Sequence, residues 1–256
     1  MKLKLKTEKE IRILQEGGKR HALILKQLAK FVKPGITSQD LEDEALRLVK
    51  ANGDEPAHLN YMPRGASRPY PATLCVSIND EIVHGIPNER KKTIQEGDIV
   101  SIDLSIWHEG LVTDAAITVP CGKVSNEVKK LLKVTKLALE KGIKEAKPSK
   151  RVGDIGAAIS KVVDGSGFSL AADLSGHGVG YAVHEEPFVP NFGIPGKGEK
   201  LVPGLVIAIE PMINIGRAEI QLTEDGYTIR TRDGSLSAHF EHTVAITKKG
   251  NIILTL

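Results

Sequence analysis

The chain has 256 residues, enough for one large domain or two small ones around a hydrophobic core. Hydrophobic residues make up 41% of it and aromatic residues only 4%, so the core must be mainly aliphatic. The net charge of +3 does not point to nucleic acid as the main ligand, and no run of about 18 apolar residues predicts a membrane span. Two cysteines outside any CxxC pair, and an N-terminus without a signal-like apolar stretch, favour a cytoplasmic protein.

The first half of the chain predicts two helices followed by strands. Thr7 and Glu10 form a capping-box pattern at the start of a helix over 7–33, whose middle Gly17 and Gly18 should weaken. A second helix is predicted over 38–52, and the Pro-, Arg- and Tyr-rich stretch 54–71 is expected to be an ordered loop. Strands are predicted at 73–79 and 99–119, the latter broken at 108–110.

The second half repeats this order. Helices are predicted near 125–146 and 152–164, and an apolar strand at 205–209. Two helices followed by strands, twice over and without a flexible linker, suggest two similar halves within a single unit over 1–256. The remaining strands are predicted near 217–222, 227–231, 237–247 and 251–255.

The hairpin within 99–119 carries two aspartates. A turn centred between His108 and Glu109 would place Asp103 directly opposite Asp114, whereas a turn displaced by one residue would separate them. Opposed side chains have Cβ atoms about 4.5–5.5 Å apart, and two carboxylates that close repel unless a proton or a cation lies between them. The pattern therefore indicates either a cation site or a solvated sheet face with two surface acids.

Three other residues could bind a metal ion. His177 lies between glycines, where it could equally be a loop residue, and Glu210 ends an apolar strand just before a proline. Alternation places Glu241 on one sheet face with His239 and Thr243. Each context also fits an ordinary surface residue, and no HExxH motif predicts a one-metal protease.

Seven segments in order, spread over nearly the whole chain, resemble the type I methionine aminopeptidases. Each segment is weak alone, but the set is highly specific. The resemblance implies an α+β pita-bread fold: a curved antiparallel sheet with helices on its outer face, in two pseudo-symmetric halves. The matching segments are Val83–Pro87, Gly97–Asp103, Thr113–Asp114, Gly176–Gly180, His184–Pro187, Ile209–Met212 and Ser235–Thr243.

The resemblance also implies the metal site. Asp114 and Glu241 would bridge two divalent ions, Asp103 would bind one of them, and His177 and Glu210 the other. Four carboxylates and one imidazole suit Mn²⁺, Fe²⁺ or Co²⁺, with Zn²⁺ or Ni²⁺ as alternatives. The four negative charges would balance two divalent cations.

The implied activity is removal of the N-terminal methionine from nascent polypeptides with a small second residue. Glu210 would carry the proton from water to the leaving amine, His184 would stabilise the oxyanion, and His84 would lie near the scissile nitrogen. The resemblance also implies a set of substrate-binding residues, which includes His84 and His184. This set is Tyr70, Cys75, His84, His184 and Tyr227.

The chain departs from the family's familiar bacterial pattern around the methionine pocket. It has Val183 where relatives often have Phe, and Tyr227 where they often have Trp, and its 62–68 segment is unusual. These departures concern the shape of the pocket and not the metal chemistry.

Two rival functions share the implied fold. Proline-specific dipeptidases usually carry an extra N-terminal domain, for which Asp103 lies too near the start, and non-catalytic binding proteins typically lose the metal ligands that this chain keeps. We expect the compact bacterial form of the enzyme, acting as a monomer. Its partners should be the N-termini of nascent polypeptides and, transiently, the ribosome, but not DNA or a membrane.

Overall fold

The computed structural model describes residues 3–63 and 65–256. The first half contains two helices, α1 and α2, and the strands β1–β5. Their bounds are Glu8–Phe31 (α1), Ser38–Ala51 (α2), Glu55–Pro56 (β1), Leu74–Ile78 (β2), Glu81–Val83 (β3), Ile99–His108 (β4) and Leu111–Pro120 (β5).

The second half begins again with two helices, α3 at Asn126–Glu145 and α4 at Val152–Asp164. Ten short strands follow them: Ser169–Leu170 (β6), Ser175–Gly178 (β7), Glu185–Pro190 (β8), Val206–Ile209 (β9), Met212–Asn214 (β10), Ile220–Leu222 (β11), Ile229–Thr231 (β12), Ser237–His239 (β13), His242–Thr247 (β14) and Gly250–Ile253 (β15).

The strand pairings described are antiparallel, and each half has its own principal sheet. In the first half, β4 lies between β2 and β5 and also pairs with β1. In the second half the order is β15-β14-β9-β7-β8. Strand β3 pairs with β12, so the two halves share a third sheet. The repeated order of elements predicted from the sequence is therefore present.

Each principal sheet packs against its own pair of helices. Leu28 of α1 and Leu41 of α2 lie in one aliphatic cluster with Ile102 and Leu104 of β4. The matching cluster of the second half includes Ile159 of α4 together with strand residues of the second sheet. Amphipathic helices that bury their aliphatic stripes against one sheet face leave the opposite face free to carry polar side chains.

The first helix confirms the expected capping box and shows where its two central glycines lie. Thr7 and Glu10 form the capping box. Gly17 and Gly18 lie inside this continuous helix, at positions where neighbouring chain approaches too closely for a larger residue. A Cβ atom would come within 2.7 Å of the His108 Cβ at Gly17 and 2.2 Å of the Leu254 carbonyl oxygen at Gly18.

The β4–β5 turn differs from the prediction by one residue. His108 pairs with Leu111, so the two-residue turn is Glu109-Gly110, and both residues have positive φ, 46° and 79°. A two-residue turn of type I′ needs this conformation, and glycine suits its second position. Asp103 is consequently opposite Ala116, and the predicted direct pairing of Asp103 with Asp114 is wrong.

The two aspartates nevertheless share a face of the sheet. Asp114 is two residues from Ala116 along β5, and side chains two apart in a strand point to the same side. The pair is therefore diagonal. The predicted single strand at 237–247 is also interrupted: β13 ends at His239, β14 begins at His242, and Glu241 lies in the break.

Candidate active site

The five predicted metal-binding residues border one cleft between the two halves. Asp103 lies on β4, Asp114 on β5 and His177 on β7, while Glu210 follows β9 and Glu241 precedes β14. All five are buried, with at most 9% of each exposed. The alternative of solvated surface acids is therefore excluded.

The oxygen and nitrogen atoms converge in two overlapping groups. Ligand-type atoms of Asp114, His177 and Glu241 lie within 4.8 Å of one another, and so do those of His58, Asp103 and Asp114. The His177 Nε2 atom is 3.4 Å from the Glu210 Oε1 atom. Asp114 belongs to both groups, so its carboxylate occupies the centre of the cluster.

Hydrogen bonds hold the backbone of Asp114 and the ring of His177 in place. The Thr243 hydroxyl donates to the Asp114 carbonyl oxygen at 2.6 Å and accepts from the Asp114 backbone N–H at 2.8 Å. The His177 Nδ1 atom lies 2.9 Å from the Gly178 carbonyl oxygen. A proton on Nδ1 satisfies this contact and leaves the Nε2 lone pair directed at the carboxylates.

The residues on both sides of His177 are glycines because a larger residue would not fit there. A Cβ atom at Gly176 would meet the Ala208 carbonyl oxygen at 2.3 Å, and one at Gly178 would meet the Glu186 carbonyl oxygen at 2.2 Å. They allow β8 and β9 to pass close on either side of β7, which places His177 against Glu210.

Burial of four carboxylates together strongly perturbs their ionisation. Desolvation raises the pKa of Asp114 to about 7 and that of Glu210 to about 8. The pKa values of Asp103 and Glu241 are raised well above the usual range by burial and then by the neighbouring carboxylates. Without a counter-charge these groups favour the protonated form.

The cleft fits divalent cations. One oxygen each of Asp103, Asp114 and Glu241 is buried without a hydrogen-bond partner among the described residues. The lining described for the cleft includes four carboxylates and four histidines, but no lysine or arginine. Buried carboxylates that lack protein donors need a proton or a metal ion, and this oxygen-rich donor set with an imidazole suits transition-metal dications.

Two further predicted residues, His84 and His184, stand at the mouth of the cleft. The His177 and His184 rings are 4.3 Å apart between centroids, and the Tyr61 hydroxyl lies 2.8 Å from His184 Nδ1. His84 has a left-handed backbone, with φ 60°. Burial lowers the pKa of His84 to about 4 and also lowers that of His184, so both are neutral at pH 7.

A small aromatic and sulfur-containing pocket adjoins the carboxylates. Tyr70, Cys75 and Tyr227 form one buried cluster, with the two tyrosine rings 5.1 Å apart and nearly perpendicular. The Tyr70 hydroxyl donates to the Gly85 carbonyl oxygen at 2.9 Å. All predicted pocket residues thus border the cleft. Val183 packs behind it with Ile11, so it is absent from the described lining.

The sequence patterns did not single out three residues near the site. His58 Nε2 is 2.8 Å from the Ser105 hydroxyl, and Tyr61 and His58 both line the cleft. Both belong to an irregular loop, in which no periodicity predicts side-chain direction. His239 Nε2 is 3.5 Å from a Glu210 oxygen and 3.9 Å from a Glu241 oxygen. Only the alternation that grouped His239 with Glu241 gave a signal for it.

Comparison with known proteins identifies the family. A model described as metallopeptidase family M24 matches residues 12–248, which is most of the chain. The chain belongs to metallopeptidase family M24. It is 48% identical to a methionine aminopeptidase of Aquifex aeolicus, over 100% of this chain and 99% of the relative. It is also similar to the crystal structure of a methionine aminopeptidase from Thermotoga maritima, with a TM-score of 0.94, 42% identity and 99% of both chains covered.

A proline-specific dipeptidase is a more distant structural neighbour. The Xaa-Pro dipeptidase of Bacillus anthracis has a TM-score of 0.77 at 20% identity, and the chain covers 61% of its length, so only the fold is shared. The expected pita-bread fold and the assignment to the bacterial methionine aminopeptidases, which are hydrolases, are confirmed. Membership of family M24 implies divalent metal ions. Among the described residues, no helix has both the length and the apolar character to cross a membrane.

Proposed function

We propose that the chain hydrolyses the first peptide bond of nascent polypeptides that begin with methionine and have a small second residue. One observation carries this proposal: four buried carboxylates lie together with His177, and three of these carboxylates have an oxygen without a hydrogen-bond partner among the described residues. Identities of 48% and 42% to methionine aminopeptidases support the substrate class.

We propose that two divalent ions occupy the cleft, with Mn²⁺, Fe²⁺ or Co²⁺ favoured over Zn²⁺ and Ni²⁺ by the donor set. Asp114 and Glu241 would contribute to both sites; the membership of Asp114 in both ligand groups supports this for Asp114, and the family resemblance implies it for Glu241. Asp103 would complete one site. His177 and Glu210, 3.4 Å apart, would complete the other. Bound metal ions lower the pKa of water and polarise a carbonyl group.

Glu210 is proposed to take a proton from the attacking water and deliver it to the leaving amine. Its carboxylate reaches the cleft from the end of a rigid strand, and the Asn191 amide donates to its carbonyl oxygen at 3.0 Å. A general base must be within hydrogen-bond reach of the water and hold its orientation through both proton transfers.

His184 is proposed to stabilise the oxyanion that forms on the scissile carbonyl. When the Tyr61 hydroxyl donates to Nδ1, the imidazole proton is on Nε2, directed away from Tyr61 and available as a donor. His84 is placed to contact the scissile nitrogen. The neutral state of both rings at pH 7 allows each to offer one donor without adding charge.

The methionine side chain is proposed to occupy the cluster of Tyr70, Cys75 and Tyr227. A thioether packs favourably against aromatic edges, and the buried Cys75 thiol, whose pKa is raised by burial, remains a neutral apolar neighbour. We further infer that residues 1–256 act as one catalytic unit. Action as a monomer in the cytoplasm, with transient ribosome contact, remains a prediction.

The decisive experiment compares hydrolysis of Met-Ala-Ser with that of a Xaa-Pro dipeptide, with and without added Mn²⁺ after chelation. We expect metal-dependent release of methionine only. Asp103→Ala and His177→Ala should abolish it, whereas Asp164→Ala, an exposed acid at the end of α4, should not. Metal-independent cleavage, or a preference for the Xaa-Pro substrate, would contradict the proposal.

Glu210→Gln tests the proton-transfer role separately. We expect kcat to fall by about two to four orders of magnitude, the usual contribution of a general acid–base group. Metal content measured by elemental analysis distinguishes loss of proton transfer from loss of metal. A metal-loaded Glu210→Gln enzyme with near wild-type turnover would exclude this role.

A further inference from the structure

A second, larger cavity continues outward from the cleft. It has a volume of about 660 Å³, against about 100 Å³ for the inner cleft. The two are continuous, because six residues border both. These are Tyr61, Pro63, His84, His177, His184 and Glu210. We call the outer part, bordered by Val83, Leu174, Phe188 and Met212, the outer groove.

The floor of the outer groove is apolar and fixed. Val83 and Met212 are 3% and 1% exposed, and both pack in one cluster with Leu174. The rim is formed by Phe188, a residue that is 68% exposed. Single exposed aromatic side chains are common on proteins, so exposure alone indicates nothing. Phe188 differs because it borders a groove that leads directly to the reacting groups.

The strand that carries Phe188 holds it in place. Phe188 lies on β8, where Glu185 pairs with Gly178 and Val189 with Gly176 of β7. The same short segment of β7 carries His177. The rim of the groove and the catalytic cluster are thus parts of one sheet.

The charges around the outer groove are mixed. Lys4 borders it together with Asp173 and Glu186, with Glu185, which is paired with Lys6, and with Glu210 of the catalytic cluster, so acidic groups predominate among the described lining residues. The apolar floor of the groove suits a ligand of variable sequence, since apolar contacts select little among side chains.

We propose that the outer groove binds the third and following residues of the substrate polypeptide, and that Phe188 packs against them. This inference rests on the proposed function. The inner cleft has room for one side chain beside the carboxylates, so the rest of an extended substrate must leave through the mouth between His84 and His184. An extended chain advances about 3.3–3.6 Å per residue, and the outer groove is large enough for several residues.

The test is Phe188→Ser, assayed on Met-Ala-Ser and on a ten-residue peptide that begins with the same three residues. Phe192→Ser is the matched control, because Phe192 is 62% exposed but is not part of the described lining of the groove. We expect Phe188→Ser to lower kcat/KM for the long peptide about fivefold, the effect of losing part of one aromatic contact. Its activity on the tripeptide, and both activities of Phe192→Ser, should stay at the wild-type value.

Equal effects of Phe188→Ser on both substrates, or no effect on either, would overturn the outer-groove proposal. So would an equal loss of long-peptide activity in Phe192→Ser, since that would reflect a general change of the surface. Failure of the proposed function would give a different result, because the wild-type enzyme would then not release methionine from the tripeptide at all.

Discussion

His58 shows how a single buried side chain can define a binding pocket. Its ring is edge-on to Tyr70 at 6.1 Å between centroids, its Nε2 atom is 2.8 Å from the Ser105 hydroxyl, and its Nδ1 atom is 3.9 Å from the Cys75 sulfur. Both ring nitrogens are therefore engaged with neighbouring side chains. What remains for a ligand is the carbon surface of the ring, which suits a thioether.

We predict that His58→Ala raises KM for Met-Ala-Ser about tenfold and changes kcat little. The substitution opens a cavity in the pocket wall and leaves the Ser105 hydroxyl without this partner, and about 1.4 kcal/mol of lost contact corresponds to a tenfold change.

His21→Ala is the control for this prediction. His21 is buried as well and contacts the Thr113 hydroxyl at 3.1 Å, but it is not part of the described lining of the cleft. The His21→Ala variant should be less stable than the wild-type protein but have an unchanged KM. If the two variants gave the same kinetic change, His58 would have no special place in the pocket.

At the residue level, the sequence predicted the metal-binding residues better than it predicted the residues that surround them. Asp103, Asp114 and Glu210 stand out because carboxylates are rare on or at the ends of apolar strands. His58 and Tyr61 could not be found in this way. Their loop follows neither helical nor strand periodicity, and the position of each side chain depends on contacts with distant segments such as β4 and the loop that carries His184.

Among the elements, the N-terminal segment restrains the loop that presents His184. The Lys6 ammonium donates to Glu185 Oε2 at 2.7 Å, with 0% and 3% of the two side chains exposed. The other Glu185 oxygen accepts from the backbone N–H groups of Tyr181, at 2.5 Å, and Ala182, at 3.0 Å. The ion pair thus joins the segment before α1 to the first residue of β8, which in turn holds the loop between β7 and β8.

We predict that Lys6→Met destabilises the protein by about 3 kcal/mol, because it leaves a buried carboxylate without its counter-ion. It should also lower kcat, since the loop that orients His184 loses its anchor. Urea unfolding and steady-state kinetics measure the two effects.

The exposed Arg47–Glu44 pair provides the comparison, with 61% and 24% of the two side chains exposed. Arg47→Met should cost less than about 1 kcal/mol and leave kcat unchanged, as is usual for surface ion pairs. Equal losses of stability in the two variants would mean that burial of Lys6 contributes nothing.

Element boundaries could be predicted largely from the sequence, but pairing could not. The four helices are present near their predicted positions, because capping residues and aliphatic spacing specify them locally. The register of β4 with β5 depends on whether the turn uses 108–109 or 109–110, which differ only in where glycine falls. The paired strands β3 and β12 come from separate halves, so neither local sequence predicts their contact.

For the molecule as a whole, the carboxylates of the cleft destabilise the folded state when they are ionised and no metal is bound. Its carboxylates have folded-state pKa values above their ordinary ones, about 7 for Asp114 and about 8 for Glu210. Such groups contribute stability that is present at low pH and is lost as the pH rises through those values. The buried histidines act in the opposite direction. His177 and His239 have pKa values lowered to about 3, so their contribution is already complete above about pH 6.5.

We therefore predict that the metal-free protein loses thermal stability as the pH rises from about 6.5 to 8. The metal-loaded protein should change little over the same range, since bound cations compensate the ionised carboxylates. Thermal melts of chelated and Mn²⁺-loaded samples across this range provide the measurement. A melting temperature of the chelated sample that stayed constant or rose would show that the carboxylates are neutralised in another way.

The diagonal placement of Asp103 and Asp114 has a consequence for changes in turn length. Side chains alternate between faces, so sliding β5 past β4 by two residues preserves which residues share a side, whereas sliding by one reverses it. Residues added to the Glu109-Gly110 turn leave both aspartates facing the cleft if the loop absorbs them, or if the register shifts by two. A register shift of one residue would turn one of them into the aliphatic core, so the parity of the register shift, rather than the length of the turn, limits what this hairpin tolerates.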